Sequence, residues 1–160
     1  MKDQFRRIFS YLIYPFRKIT QESHVKWFFS EKFVSLLYYN LSSSTEHERL
    51  LKDLKPRDNL ILDIGTGVGP IYKTTHAKIN RIVGIDFSLS MLKTCKMYNR
   101  GSDLICADAK YLPFRDSSFD LSVAYNILKY CKNRTMILNE IERTTKGKSI
   151  CKDIDFPKLK

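Results

Sequence analysis

The stretch Leu60-Ile61-Leu62-Asp63-Ile64-Gly65-Thr66-Gly67-Val68-Gly69 decides the fold of this chain. It begins with an apolar run over residues 60–64, which indicates a short strand buried on both faces. Three glycines at alternate positions follow, and because glycine has no Cβ they let a ligand approach bare backbone. In an open parallel sheet, ligands bind at this carboxyl end of the strands. Taken alone, the glycine spacing also fits an ordinary tight turn between a strand and a helix.

Two further apolar runs also end in an acid. Residues 81–85 are followed by Asp86, and residues 104–107 are followed by Asp108. A carboxylate at the tip of the second strand is placed to accept hydrogen bonds from ribose hydroxyls. Pro70 stands where a dinucleotide-binding turn has its third glycine, and this disfavours a nicotinamide-dependent oxidoreductase. Three such runs separated by helix-length segments favour an α/β fold with a parallel sheet.

The order of these motifs resembles the class I S-adenosylmethionine-dependent methyltransferases. The matching segments are LILDIGTGVG (60–69), VGIDFSLSMLKTCK (83–96) and CADAKYLPFRDSSFDLSVAYNIL (106–128). The likeness covers residues 45–157 and is strongest to the small-molecule branch that includes the ubiquinone and menaquinone biosynthesis C-methyltransferases. It implies a doubly wound, mostly parallel, Rossmann-like sheet of about five strands, with helices at the N-terminus.

The resemblance also implies an S-adenosylmethionine site along the carboxyl ends of the strands. Asp63 would orient the methionine ammonium, Asp86 would bind the ribose, and Asp108 with the Ala109 backbone would meet the adenine. Asp63 as a turn-forming acid and Met91 as a core residue remain the alternatives. Tyr125 and Asn126 would lie where the methionine portion meets the acceptor. The implied cofactor-binding set is Asp63, Gly65, Thr66, Gly67, Gly69, Asp86, Phe87, Met91, Asp108, Ala109, Tyr125 and Asn126.

The predicted function is transfer of a methyl group from S-adenosylmethionine to a small, lipophilic acceptor. Alignment of the reacting groups supplies much of the catalysis in such a methylation, and no residue of the sequence stands out as a catalytic base. An RNA or protein methyltransferase is the alternative among enzymes, although residues 124–128 lack the N-P-P-Y-type run of branches that methylate amino groups. A non-catalytic S-adenosylmethionine-binding or scaffold protein is the alternative from another class.

Composition predicts one cytoplasmic globular domain. The chain has 160 residues and a net charge of +11 that is spread along it, so nucleic acid is a permitted partner but not a required one. Four scattered cysteines without a histidine cluster predict neither a metal site nor a disulfide framework. No apolar run is long enough for a transmembrane helix.

The first 44 residues are predicted to form a helical segment ahead of a core that spans residues 45–160. The first helix carries a basic amphipathic pattern within residues 1–18. A lid packed over the cofactor is the favoured interpretation, and peripheral contact with an anionic membrane surface is the alternative. A second helix is predicted over residues 20–40, and Ser44 is predicted to cap a third. The apolar side of the second helix would consist of Val25, Phe28, Phe29, Phe33, Leu36 and Leu37.

Later helices are predicted over residues 70–78, after a cap at Ser88, and over residues 134–144 after a cap at Asn133. A fourth strand is predicted over residues 119–125 and a fifth over residues 149–156.

In the resembled family a helix and two strands follow the fifth strand, whereas this sequence ends at residue 160. The core is therefore predicted to lack the last strands of the family. A fifth strand at an uncovered edge predicts self-association through the carboxyl-terminal strand, or completion by a partner or an extension of the gene.

Overall fold

The computed structural model describes residues 22–52, 60–74 and 81–153. The amphipathic pattern of residues 1–18, with its two interpretations, lies outside these ranges and stays a prediction. Across the described residues, no helix combines the length and the apolar character needed to cross a membrane.

Five parallel strands form the centre of the fold. They are β1 (Leu60–Ile64), β2 (Arg81–Asp86), β3 (Asp103–Cys106), β4 (Phe119–Tyr125) and β5 (Thr145–Lys152). Their order across the sheet is β3-β2-β1-β4-β5, and every neighbouring pair is parallel. This order confirms the predicted doubly wound sheet. From β1 the chain adds β2 and β3 toward one edge of the sheet and then adds β4 and β5 toward the other edge. A crevice therefore opens between β1 and β4 at the carboxyl ends of these strands.

Helices cover both sides of the sheet. They are α1 (Glu22–Ser30), α2 (Lys32–Leu41), α3 (Thr45–Leu51), α4 (Leu89–Tyr98) and α5 (Arg134–Thr144), with short 3-10 turns at Pro70–Lys73 and Leu128–Tyr130.

Alternation along the strands divides the core between the two faces of the sheet. On one face Ile61 packs with Leu51 of α3 and with Ile71. On the other, Leu62 packs with Ile137 and with a second isoleucine of α5. Burial on both faces explains why the strands read as continuous apolar runs in the sequence.

The helix predicted over residues 20–40 is two helices. Glu31 adopts an extended conformation (φ −71°, ψ 127°) and separates α1 from α2. Because the second helix starts with a new phase, Val34 and Ser35 turn inward. Phe33, predicted on the apolar side, is 74% exposed, so that part of the prediction was wrong.

The boundary between α5 and β5 also differs from the prediction. Lys146 and Gly147, expected to separate helix from strand, lie inside β5, which starts at Thr145 directly after α5. A Cβ on Gly147 would overlap the carbonyl oxygen of Asp120, so glycine allows close pairing of β5 with β4 at an irregularity in their register. Residues 154–156 of the predicted strand lie outside the described ranges.

The predicted helix caps have mixed outcomes. Ser88 caps α4, because its hydroxyl accepts a hydrogen bond from the backbone N–H three residues later at 3.1 Å. Ser44 precedes α3 without a capping bond, and Ser43 instead accepts from the N–H of Thr45 at 3.2 Å. Asn133 precedes α5, yet its side chain makes no capping bond either.

Candidate cofactor site

The glycine turn after β1 has one open position. All three glycines have positive φ (71°, 54° and 77° in chain order), a region that L side chains enter at a cost. A Cβ on Gly65 would collide with Ile127, and one on Gly69 would collide with Cys95. A Cβ on Gly67 would meet nothing closer than the Gly65 carbonyl oxygen at 3.9 Å. Gly67 is therefore the place in this turn where a ligand can reach bare backbone.

The turn leads into a four-residue 3-10 turn, Pro70–Lys73, instead of the start of the predicted helix over 70–78. Thr74 is extended (φ −79°, ψ 159°) and its hydroxyl donates to the carbonyl of Ile71 at 2.6 Å, which closes the turn. Residues 75–78 lie outside the described ranges. A turn this short provides little of the helix dipole that attracts a pyrophosphate.

Asp86, at the end of β2, fastens the glycine turn to the start of α4. One carboxylate oxygen accepts from the N–H of Gly67 at 3.0 Å and the other accepts from the N–H of Ser88 at 2.8 Å. Burial raises the pKa of Asp86 to about 6, although these two N–H donors oppose the shift. Each carboxylate oxygen has a second lone pair, so the group keeps capacity for ribose hydroxyls.

The Asp63 side chain lies in the core, and one of its carboxylate oxygens has no hydrogen-bond partner. The residue is 1% exposed, and its Oδ2 has no hydrogen-bond partner. The Thr66 hydroxyl, also buried, is unpartnered as well; it lies close enough to oppose the shift in the Asp63 pKa but forms no well-aligned hydrogen bond. Burial raises the pKa of Asp63 to about 7, and the Asp86 charge adds to the rise. The buried carboxylate oxygen is an acceptor without a donor, and such an acceptor fits a cationic group.

Asp108, beyond the end of β3, is held by two lysines. The ammonium of Lys26 lies 3.1 Å from its Oδ2 and that of Lys110 lies 3.5 Å away. Burial opposes the shift, yet the Lys110 N–H and the Lys26 ammonium hold the pKa of Asp108 below its usual value. The Lys26 ammonium also lies 5.9 Å from the centre of the half-exposed Phe87 ring. The position predicted for adenine is thus bordered by a helix that precedes the core.

A second contact holds helix α1 over the loop that joins β2 to α4. The Ser88 hydroxyl donates to the carbonyl of Phe29 at 2.6 Å. With the Lys26–Asp108 contact, this bond places α1 across the loop that joins β2 to α4. Sequence reasoning missed Lys26, since nothing local marks one lysine of a helix as the partner of an acid 82 residues away.

Met91 is 2% exposed and packs with Val34 and Val68. This burial fits the alternative in which Met91 is a core residue. A contact between Met91 and the adenine stays a prediction. Ala109 is half-buried against the core cluster of the α5 face.

Tyr125 and Asn126 lie at the carboxyl end of β4, where Tyr125 meets α3. The backbone of Asn126 has a positive φ of 61°, and its side-chain oxygen accepts from the Lys129 ammonium at 3.0 Å. The ring of Tyr125 lies edge-on to His47, with 5.0 Å between ring centres. His47 is buried, its Nδ1 has no partner, and burial lowers its pKa to about 4. Sequence reasoning missed His47, because no local pattern marks it.

The predicted residues therefore fall into three neighbouring groups along the carboxyl edge of the sheet. Asp63, Thr66, Gly67 and Asp86 lie at or just beyond the ends of β1 and β2, the second group lies beyond the ends of β2 and β3, and the third lies at the end of β4. Their binding roles are not tested by the geometry and stay predictions.

Known proteins resemble this chain over the same region. The methyltransferase domain family matches residues 62–151. A ubiquinone/menaquinone biosynthesis C-methyltransferase of Desulfotalea psychrophila is 32% identical over 108 residues, covering 64% of this chain and 44% of the relative. A malonyl-[acyl-carrier protein] O-methyltransferase of Hamiltonella defensa is 30% identical, covering 54% of this chain and 34% of the relative. The chain thus spans less than half the length of these curated relatives.

The fold is also found among solved structures. A provisionally named S-adenosylmethionine-dependent methyltransferase of Methanococcus maripaludis superposes with a TM-score of 0.69 at 20% identity. The match covers 77% of this chain and 64% of that protein.

Proposed function

Since the chain belongs to the methyltransferase domain family, we propose that it is an S-adenosylmethionine-dependent methyltransferase that acts on a small, lipophilic acceptor. The family match spans residues 62–151 of 160, and both named relatives are methyltransferases.

The unsatisfied pair of Asp63 and Thr66 carries the proposal. A buried carboxylate oxygen and a buried hydroxyl without partners cost stability unless a ligand satisfies them. Thr66 directly precedes Gly67, where the backbone is open to a ligand. The ammonium group of the S-adenosylmethionine methionine portion carries a positive charge and three hydrogen-bond donors, which Asp63 and Thr66 lack as partners. The residues present therefore fit the cofactor.

The rest of the cofactor follows from the neighbouring side chains. Asp86 would accept from the ribose hydroxyls while it holds the glycine turn, and Phe87 would stack on the adenine. Asp108 would accept from the adenine amino group, with Lys26 closing that end of the crevice. S-adenosylmethionine supplies a methyl group on a sulfonium with a good leaving group. The protein's contribution is then to orient the reactants and exclude water.

Aromatic rings favour a lipophilic acceptor. Phe29 meets Tyr38 of α2 at 5.4 Å and Tyr130 after β4 at 5.6 Å between ring centres, both edge-on. Burial is the main cause that raises the pKa of Tyr38 far above its usual value. These rings join the N-terminal helices to the loop after β4, where the acceptor would lie. One named relative is a quinone-pathway C-methyltransferase, in keeping with a ring-shaped acceptor.

Calorimetry with S-adenosylmethionine and S-adenosylhomocysteine tests the cofactor, and release of S-adenosylhomocysteine with phenols and quinols, with and without alkyl tails, tests the acceptor. We expect binding of both cofactor forms and turnover that rises with tail length. Absence of binding would overturn the proposal. Binding without turnover of any acceptor would favour the non-catalytic alternative.

A further inference from the structure

Helices α2 and α4 lie side by side on the outside of the fold. The hydroxyls of Ser35 and Thr94 are 2.7 Å apart in a buried contact, and the hydroxyl of Ser90 donates to Ser35 at 3.3 Å. The Ser88–Phe29 bond holds α1 against the start of α4. The outward sides of the three helices therefore border one another, and we call them together the α1–α2–α4 surface.

This surface carries large apolar side chains in water. Leu89 and Met97 are 54% and 56% exposed, and together with Lys93 they occupy positions i, i+4 and i+8 on one side of α4. Phe33 on α2 is 74% exposed, and Trp27 on α1 is 58% exposed. Scattered apolar residues are common on soluble proteins, but four on adjoining helices mark an interaction surface.

The same surface is purely cationic along α2 and α4. Residues 32–45 and 87–102 contain no aspartate or glutamate. They contain four basic residues, namely Lys32, Lys93, Lys96 and Arg100, all of them exposed. The acids that bound these two ranges in the sequence are Glu31 and Glu46 for the first and Asp86 and Asp103 for the second. By contrast, α5 on the opposite side of the sheet mixes Glu140 and Glu142 with its arginines.

We propose that the α1–α2–α4 surface docks on an anionic lipid bilayer. Tryptophan and phenylalanine favour the boundary between headgroups and acyl chains, and lysines above it attract the negative leaflet. Helix α1, which lies across the loop that joins β2 to α4, would then lie between the crevice and the bilayer, so an acceptor could pass from the membrane into the crevice along its edge. That last consequence rests on the proposed function, whereas docking itself does not.

Trp27 makes the test direct, because it is the only tryptophan of the chain. Full-length protein is mixed with phosphatidylcholine vesicles, with and without phosphatidylserine, and followed by co-sedimentation and fluorescence. We expect binding that requires phosphatidylserine and weakens in high salt. We also expect a blue shift of Trp27 emission and quenching by brominated lipid chains.

Variants separate this surface from other sites. The double variant Phe33→Ser/Leu89→Ser and the charge reversal Lys93→Glu should each weaken vesicle binding at least about five-fold. The matched controls lie elsewhere: Leu138→Ser replaces a 42% exposed residue of α5, and Lys132→Glu replaces an exposed lysine before it. Both controls should bind vesicles normally. All four variants should bind S-adenosylmethionine normally, which keeps this test independent of the proposed function.

Several outcomes would overturn the inference. Vesicle binding without a change in Trp27 emission, or with full retention in the double variant, would place the contact elsewhere, such as residues 1–18. A Trp27 response to single-stranded RNA but not to vesicles would make this a nucleic-acid surface. Dimerisation without lipid that the double variant abolishes would make it an interface between two copies.

Discussion

Asp63→Asn is expected to stabilise the ligand-free protein and to weaken cofactor binding. Burial raises the pKa of the folded carboxyl to about 7, against 3.8 as its ordinary value. The unfolded chain therefore releases this proton at lower pH than the folded protein does. Between these two pKa values stability falls as pH rises, and above pH 7 the folded state carries the full cost of a buried charge. Asparagine keeps the shape and removes the charge.

The size of the stabilisation follows from the difference between the folded and the ordinary pKa of Asp63. About three pKa units correspond to about 4 kcal/mol at 1.36 kcal/mol per unit. The buried amide still lacks a partner, so a net gain of about 2–3 kcal/mol is expected. In a chain of this length, each 1 kcal/mol moves Tm by about 2–4 °C, which gives a rise of roughly 4–12 °C. Near pH 5 the cost of the charge is only about 1.5 kcal/mol, so the gain shrinks there.

The assay is thermal unfolding of both proteins at about pH 7.5 and about pH 5, followed by calorimetry with S-adenosylmethionine. Loss of a charged hydrogen bond, about 1.5–3 kcal/mol, should weaken binding by roughly ten- to a hundred-fold. Asp103→Asn, at an exposed position of β3, is the matched control and should change neither quantity. A variant that unfolds at or below the temperature of the parent at about pH 7.5 would refute the reasoning, as would unchanged affinity.

Three other measurements test the fold and the site. Gly67→Ala should cost about 1–2 kcal/mol through its positive φ. It should also weaken S-adenosylmethionine binding about ten-fold or more in calorimetry. The control Gly101→Ala, with open space around it, should neither destabilise the protein nor weaken binding. Arg143→Met removes pairs with Glu140 and with backbone carbonyls and should lower stability in urea unfolding by about 1–2 kcal/mol. The exposed Arg134 on the same helix gives the control variant, and an equal loss in both would contradict this role. Light scattering over a concentration series tests self-association through β5, which lies at a sheet edge with most of its residues exposed; a strictly monomeric protein would reject it.

The sequence by itself determined the parallel sheet and the edge of the sheet at which the acids and the glycine turn lie. Buried strands need apolar residues on both faces, so their runs stand out, and β1 and β4 were predicted with their observed bounds. The acids at strand ends and the glycine turn are local signals of the same kind. The cap at Ser88 was also predictable, because it depends on an N–H only three residues away.

Only the tertiary structure decided which of these residues are available to a ligand. Gly65, Gly67 and Gly69 look alike in sequence, but Ile127 and Cys95 close two of them and leave Gly67 open. The break at Glu31, the start of β5 at Thr145 and the Lys26–Asp108 contact likewise depend on partners distant in the chain. Packing between elements sets the phase of a helix, the register of an edge strand and the dielectric around an acid. Those quantities are properties of the assembled fold, so no local pattern carries them.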